Sequence, residues 1–421
     1  MTTTSGEITS RPAAAAHLTR VCFKLGPPRL VGAELEWFTR VAEESPLGPV
    51  SDARPALTAE AARPELRDLA AALGQHAPRS IAPDSPELPL GSGSVVSVEP
   101  GGQIELSSVP LADTGALRRA LAADEARLRA LLAARGIAVV AGAADGFRPP
   151  RRLLTTERYR AMEESFGRSG RFGALMMCNT AAVQVALDAG VDADHAVTRW
   201  TLLHTIGPAL MSAFANSPDL HGVDGSPWAS QRMRTWLETD RTRIPPPAQT
   251  IDDYTDWVLA VPLLCVRTAA GTLWTPPAGA TFADWMDGHL DAAVGRRPDA
   301  GDLAYHVSTV FPMVRPQGYL EVRYLDGQPA GMWSVPIAAV TALLSTDEVG
   351  AAAAAIAEPT ADAWLRAAQC GLRDAELRSA ASHLLSLAAE ATPAGTDHDD
   401  LAAAAARCAR GHTPAQEAIP A

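Results

Sequence analysis

Residues 31–38 read Val-Gly-Ala-Glu-Leu-Glu-Trp-Phe, an apolar run of strand length that carries two carboxylates one residue apart. Alternation along an extended strand puts Glu34 and Glu36 on one face and Ala33, Leu35 and Trp37 on the other. Such a segment fits a sheet with one face on an apolar core and an opposite face that tolerates acid. Two ionised carboxylates about 7 Å apart repel by roughly 2 kcal/mol at an effective dielectric near 20. Water on an exposed face or a bound cation would offset that, and the stretch by itself leaves both open.

The same patterning recurs far along the chain. "SVVSVEPGGQIELSS" (94–108) predicts a β-hairpin turning at Pro100, Gly101 and Gly102, with Gln103, Glu105 and Ser107 on one face. Around 182–187, Val183 and Val185 alternate with Ala182, Gln184 and Ala186, which predicts a strand with Gln184 on a face of small residues. "YHVSTVFPMV" (305–314) and "GYLEVRYLDG" (318–327) predict two strands joined by a Pro-Gly turn, Glu321 and Arg323 sharing a face in the second. Between these lie helical patterns. One ends near Gly74, and a long amphipathic one over 113–135 has an Asp cap and a terminal Gly. Others cover 200–218, the arginine-rich 227–247 and the Ala/Leu-rich chain from Pro336. Strands dispersed among helices predict an α+β fold with a mainly antiparallel sheet. Residues 1–390 are expected to form one domain, and "ATPAGTDHDD" (391–400) opens a helical tail over 391–421.

A formal charge of -12 and a pI near 5.3 disfavour nucleic acid and anionic membrane as partners, because both repel such a surface at long range. Cys22, Cys178, Cys265, Cys370 and Cys408 are scattered, odd in number and free of any CxxC pair. That argues against a disulfide framework or a structural zinc site and for a reducing compartment. No apolar run reaches bilayer-spanning length, and the chain is expected to be soluble and cytoplasmic. Glu34, Glu36, Glu105, Gln184, Glu321 and Arg323 thus stand on polar strand faces. Oxygen ligands of this kind suit a hard cation such as Mg²⁺, although by pattern alone solvated sheet faces are the simpler reading.

"GAELEWF" resembles the G-x-E-x-E opening of the glutamate-cysteine ligases, and "GGQIELS" is similar to their second strand motif. The resemblance continues through "RYRAMEESFGRSGRFGALMMCNTAAVQVALD", "SPWASQRMRTWLETDRTR", "TFADWMDGHL" and "HVSTVFPMVRPQGYLEVRYLD", in family order over 31–330. It is strongest to the plant-like type, and within it to bacterial enzymes that supply γ-glutamylcysteine for ergothioneine synthesis. The resemblance implies a cup-shaped antiparallel sheet of the glutamine synthetase superfamily with the active site on its concave face. It implies that ATP phosphorylates the γ-carboxylate of L-glutamate and that the amine of L-cysteine displaces phosphate. The absence of a G-x-x-x-x-G-K-[ST] or G-x-G-x-x-G loop agrees, since metal bridging and positioning can carry phosphoryl transfer.

Residue by residue, the resemblance makes Glu34, Glu36, Glu105 and Glu321 Mg²⁺ ligands and sets Gln184 against metal or nucleotide. A buried Gln bonded to backbone is the alternative for Gln184. Arg323 is expected to grip the α-carboxylate of glutamate or a phosphate, or else to pair with Glu321. The family pattern S-x-R-x-x-x-W-x-x-T-D singles out Arg232, Trp236 and Asp240. Arg232 is the expected substrate or phosphate contact and Arg241 the second, on the nucleotide; Trp236 is substrate-binding or core. Tyr159 and Met162 would shape the amino-acid pocket, or simply pack. His306 reads as structural at least as readily as catalytic, and His398 among Asp397, Asp399 and Asp400 reads as a helix N-terminus. Competing functions are the same chemistry with another amine acceptor, and a non-catalytic amino-acid or nucleotide sensor on the same fold.

Overall fold

The computed structural model describes residues 6–42, 57–223, 228–244, 250–268 and 272–418. Among the described residues the strands are β1 (Val31–Val41), β2 (Val95–Val98), β3 (Ile104–Ser107), β4 (Ile137–Val140), β5 (Ala182–Leu187), β6 (Val266–Arg267), β7 (Leu273–Trp274), β8 (Val314–Pro316) and β9 (Leu320–Asp326). Seven form one open sheet of order β2-β3-β1-β5-β9-β8, with β4 continuing beside the far half of β1, while β6 and β7 pair separately. Every pairing is antiparallel. The α+β, antiparallel expectation is met.

One long strand organises the sheet. The first part of β1 pairs with β5 and its centre with β3, whereas Phe38 to Val41 pair with β4. Its apolar side, Val31, Ala33, Leu35 and Trp37, joins the main core. Helices Thr114–Ala133, Ala193–Thr205, Gly207–Phe214 and Ser334–Leu343 pack on that side of the sheet. Trp200 Nε1 donates to the Val314 carbonyl at 3.0 Å and Tyr324 Oη to that of Leu203 at 3.1 Å, locking helix to strand. Capping explains where several of these helices start: Asp113 accepts from Ala116 N at 2.7 Å and Asp192 from His195 N at 2.8 Å.

The β2–β3 turn needs its glycines. Gly102 has φ +86°, and a Cβ on Gly101 would overlap the backbone of Cys178. This close approach brings the hairpin against the helix Phe172–Cys178 and so closes one end of the polar face.

Two sequence readings change. The stretch 305–314 is not a strand: helix Ala300–Val307, started by the capping box Asp299/Asp302, runs into it, and pairing resumes only at Val314. The cap supplies the orphan amide partners that β-branched composition cannot outweigh. The strand Ile137–Val140 escaped the reading, since four residues carry little periodicity. The helix Thr396–Ala409 packs along Ala375–Glu390, and Arg118 ties it down through Asp397 at 2.9 Å and Asp400 at 2.8 Å. No single helix among the described residues is long and apolar enough to cross a membrane.

Candidate active site

The polar side of β1 floors a cavity of about 320 Å³. Register builds its anionic wall: Glu36 stands opposite Glu105 on β3, Glu105 opposite Ser97 on β2, and Glu34 opposite Gln184 on β5. Ser97 and Ser107 hydroxyls donate to Glu105 Oε1 at 2.7 and 3.1 Å, and Ala182 N donates to Glu36 Oε2 at 2.9 Å. The Nε2 of Gln184 donates to Glu34 at 2.9 Å and to Glu36 at 3.1 Å, so both carboxylates converge on one atom. Glu99, just past β2, completes the wall.

The cationic wall comes from β8, β9 and the helix Gln231–Thr239. Arg315 and Arg323 flank Glu321, which is 1% exposed: Arg315 Nη2 lies 2.7 Å and Arg323 Nε 3.3 Å from Oε2. Arg323 Nε also donates to Gln184 Oε1 at 3.2 Å. Arg232 Nη2 donates to the Arg323 carbonyl at 2.8 Å. Both guanidiniums lie over the Trp236 ring, Arg232 5.3 Å and Arg323 4.9 Å from its centroid. A bulge sets this geometry. Val183 pairs with Leu325 but Val185 with Val322, so Gln184 spans both Arg323 and Tyr324. Arg323 and Asp326 therefore face the same way, while Tyr324 turns into the helices. Asp326 accepts from Asn216 N at 2.9 Å and from the hydroxyls of Ser217 at 2.6 Å and Ser230 at 2.8 Å, anchoring the start of the helix that carries Arg232. Tyr159, Met162, Met176, Met177 and Phe311 make the remaining, apolar wall.

Burial and crowding shift the acids upward. Glu34 is pushed up to about 8 by burial and by the charges of Glu105 and Glu321, and Glu36 to about 7 by burial and Glu105. Glu99 and Glu105 are raised by the same burial. Burial and Arg315 pull Arg323 down to about 10. Arg323 Nη1 and Arg315 Nε are buried and have no hydrogen-bond partner among the described residues. One wall lacks positive charge and the other has unfilled donors, the complement of a cation bound to an anion.

Comparison with known proteins identifies the family. Residues 30–418 match the model of glutamate-cysteine ligase family 2. This chain belongs to glutamate-cysteine ligase family 2. It is 38% identical over 398 residues to the glutamate-cysteine ligase EgtA of Mycolicibacterium smegmatis, covering 92% of this chain and 86% of that one. It is 41% identical over 318 residues to EgtA of Mycobacterium tuberculosis, with 72% of each covered. The chloroplastic glutamate-cysteine ligase of Nicotiana tabacum is 31% identical over 245 residues, 56% of this chain and 46% of that one. The crystal structure of a Francisella tularensis glutamate-cysteine ligase in complex with AMP has the same fold, with a TM-score of 0.53 at 13% identity, covering 93% of this chain and 84% of that one.

In this family member Glu34, Glu36, Glu105, Gln184, Arg232, Arg323, Tyr159 and Trp236 all line the cavity, together with Met162. Glu321 sits immediately behind, held by Arg315 and Arg323. Arg241 does not join them. The helix ends at Asp240, which caps the 3-10 turn Arg241–Arg243, and that turn rotates Arg241 outward, its Nε donating to the Leu237 carbonyl at 3.2 Å. Arg243 takes the inward position instead, 3.0 Å from Asp240 and bonded to the Pro262 carbonyl at 2.7 Å, so Asp240 is structural. His306 is structural as well: Nε2 is 2.8 Å from the Val258 carbonyl and the ring stacks on Phe282. His398 Nδ1 meets the Ala389 carbonyl at 2.9 Å.

Glu99, Arg315 and Arg158 were missed. Parity held the signal for Glu99, which follows Ser97 by two and so shares its face. Arg315 stands opposite Glu321, symmetric about Gly318, but the strand misplaced at 305–314 left it outside.

The acids also fit Mg²⁺. They offer only hard oxygens, and among the described residues no three acidic, histidine or cysteine side chains close into a cage. Mg²⁺ characteristically keeps waters and substrate phosphate oxygens in its shell, so an open array suits it better than a closed one.

Proposed function

We propose that this chain joins the γ-carboxylate of L-glutamate to the amine of L-cysteine at the expense of ATP, giving γ-glutamylcysteine, ADP and phosphate. Family membership and relatives named glutamate-cysteine ligase over most of their length support the reading. The observation that carries it is the opposition, in one cavity, of Glu34, Glu36, Glu99 and Glu105 to Arg232, Arg315 and Arg323. Glu34, Glu36, Glu105 and Glu321 would hold Mg²⁺, with Glu99 beside them. Held by these carboxylates, Mg²⁺ would supply neutralisation of the ATP phosphates and alignment of the transferred phosphoryl group.

The chain's own groups do the rest. Arg323, with its unfilled Nη1, and Arg232 grip the glutamate α-carboxylate or the transferred phosphate. Trp236 keeps both guanidinium planes in register. The γ-carboxylate oxygen attacks the terminal phosphorus of ATP and ADP leaves. The cysteine nitrogen, as the free amine after its ammonium has lost a proton to solvent, then attacks the γ-carbonyl carbon of γ-glutamyl phosphate, the C–O bond to phosphate breaks, and the proton shed on forming the amide leaves with the phosphate. The wall of Met162, Met176, Met177 and Phe311 shields that acyl phosphate from water, and Tyr159 borders the amino-acid pocket. We place the product in the supply of a low-molecular-weight thiol, ergothioneine, and the enzyme in the cytoplasm. Residues 1–390 would be the catalytic domain and 391–421 an appended helical tail.

ADP formation is the test, measured with glutamate and each of a panel of amines, with Mg²⁺ and again after chelation. Cysteine-dependent turnover that vanishes on chelation is expected. Turnover with another amine and none with cysteine defeats the acceptor assignment, and no ADP with any amine defeats the ligase.

A further inference from the structure

Gln184 touches both charged walls at once. Its Nε2 donates to Glu34 at 2.9 Å and Glu36 at 3.1 Å, and its Oε1 accepts from Arg323 Nε at 3.2 Å. Chemistry dictates that orientation, because a guanidinium only donates and so requires the amide oxygen. A cation shared by Glu34 Oε2 and Glu36 Oε1 would take the place that Gln184 Nε2 now holds. An amide NH₂ aimed at the pair would face the cation, whereas the amide oxygen is the atom Mg²⁺ accepts. If the amide turns, its NH₂ points at Arg323 Nε and two donors oppose each other. If it swings aside, Arg323 loses the acceptor altogether. Either way the guanidinium is released from β5, keeping Glu321 at 3.3 Å and the Trp236 face at 4.9 Å as its remaining holds.

We infer that Gln184 is a relay: filling the Glu34–Glu36 site frees the Arg323 fork to take an anionic substrate. The inference rests on the metal reading of the proposed function. Released from Gln184 while Nε stays on Glu321, the guanidinium can turn its end-on fork, which includes the already unpartnered Nη1, to a carboxylate. Cation and glutamate should therefore bind cooperatively, and linkage requires the factor to be the same in both directions. Gln184 acts through Arg323 and is a positioning residue.

The test uses the full chain without ATP, with Mn²⁺ as the metal probe counted by electron paramagnetic resonance and L-glutamate titrated by calorimetry. In the wild type Mn²⁺ should tighten glutamate about tenfold, and glutamate should tighten Mn²⁺ by the same factor. Gln184→Met keeps the length and volume of the side chain but neither hydrogen bond; both ligands should still bind, with the coupling below twofold. Gln184→Glu keeps an acceptor on Arg323 that no cation can turn into a donor, and its coupling should fall likewise. Equal coupling in the wild type and either variant would assign it to direct attraction between cation and glutamate, and overturns the relay. Bound Mn²⁺ without coupling in the wild type overturns it too, whether or not the variants fold. No bound Mn²⁺ at all removes the metal reading and the relay with it.

Discussion

Arg315 and Glu321 face each other across the last hairpin of the sheet, Arg315 Nη2 meeting Oε1 at 3.0 Å and Oε2 at 2.7 Å. Glu321 is 1% exposed, so its charge depends on this guanidinium. Breaking one side of such a pair costs about 3–5 kcal/mol, whereas replacing both sides can be close to neutral. Arg315→Met should therefore destabilise the protein by about 3 kcal/mol, and the double variant Arg315→Met/Glu321→Gln should recover most of it. Urea denaturation of the three proteins decides the matter; equal stability of the single and double variants contradicts the pairing.

Glu36→Gln should abolish ligation while strengthening the unliganded fold. Glu34 and Glu36 ionise near 8 and near 7 in the native state against 4.5 when unperturbed. The native state thus holds more protons between pH 4.5 and 8, and this contribution to stability falls as pH rises through that window. Removing one acid should flatten the fall and add about 1–3 kcal/mol at pH 8. Denaturation at pH 5 and pH 8 reads the stability, and ADP release reads the chemistry; undiminished turnover rules out the metal role of Glu36.

His204 and His306 are buried as neutral rings, and burial pulls each down to about 4 from 6.5. The unfolded chain binds more protons across that interval, so stability is present above pH 6.5 and drains away as pH falls through 4. His306→Gln should remove up to roughly 3 kcal/mol of that acid dependence. Comparing unfolding free energies at pH 4.5 and 7 tests it, and an unchanged acid slope would count against burial of a neutral ring.

Asp326→Asn should act on substrate binding as well as on the fold. The carboxylate holds Ser217, Ser230 and Asn216, and Arg232 Nη1 lies 3.9 Å from it. Weakening that anchor should raise the glutamate KM about tenfold and cost about 2 kcal/mol of stability. Steady-state kinetics with glutamate varied measures the first; a KM that stays put would make Asp326 purely a folding residue.

Strand parity made the carboxylates legible. Glu34, Glu36, Glu105 and Gln184 were readable on single faces because a period of two is a local property. Family resemblance supplied the chemistry that alternation alone left open between water and metal. Arg241 shows where local reading fails: a charged residue immediately beyond a motif looks available, but whether it faces the cavity depends on how the helix ends. The 3-10 turn capped by Asp240 turned it away. Glu99 carried the right parity and went unread, and Arg315 was lost to a strand started nine residues too early because a capping box outweighed β-branched composition.

What the amino-acid order settled by itself is which side chains share a strand face, since backbone geometry forces that alternation whatever the rest of the chain does. Only the tertiary structure decided which strands lie side by side, that a one-residue bulge opposite Gln184 brings Arg323 and Asp326 onto one surface, and that Glu34 and Glu36 converge on a single amide nitrogen. The contacts of Gln184 with Glu34 and Glu36 join residues 150 and 148 positions apart, and nothing short-range in the chain encodes a distance between them.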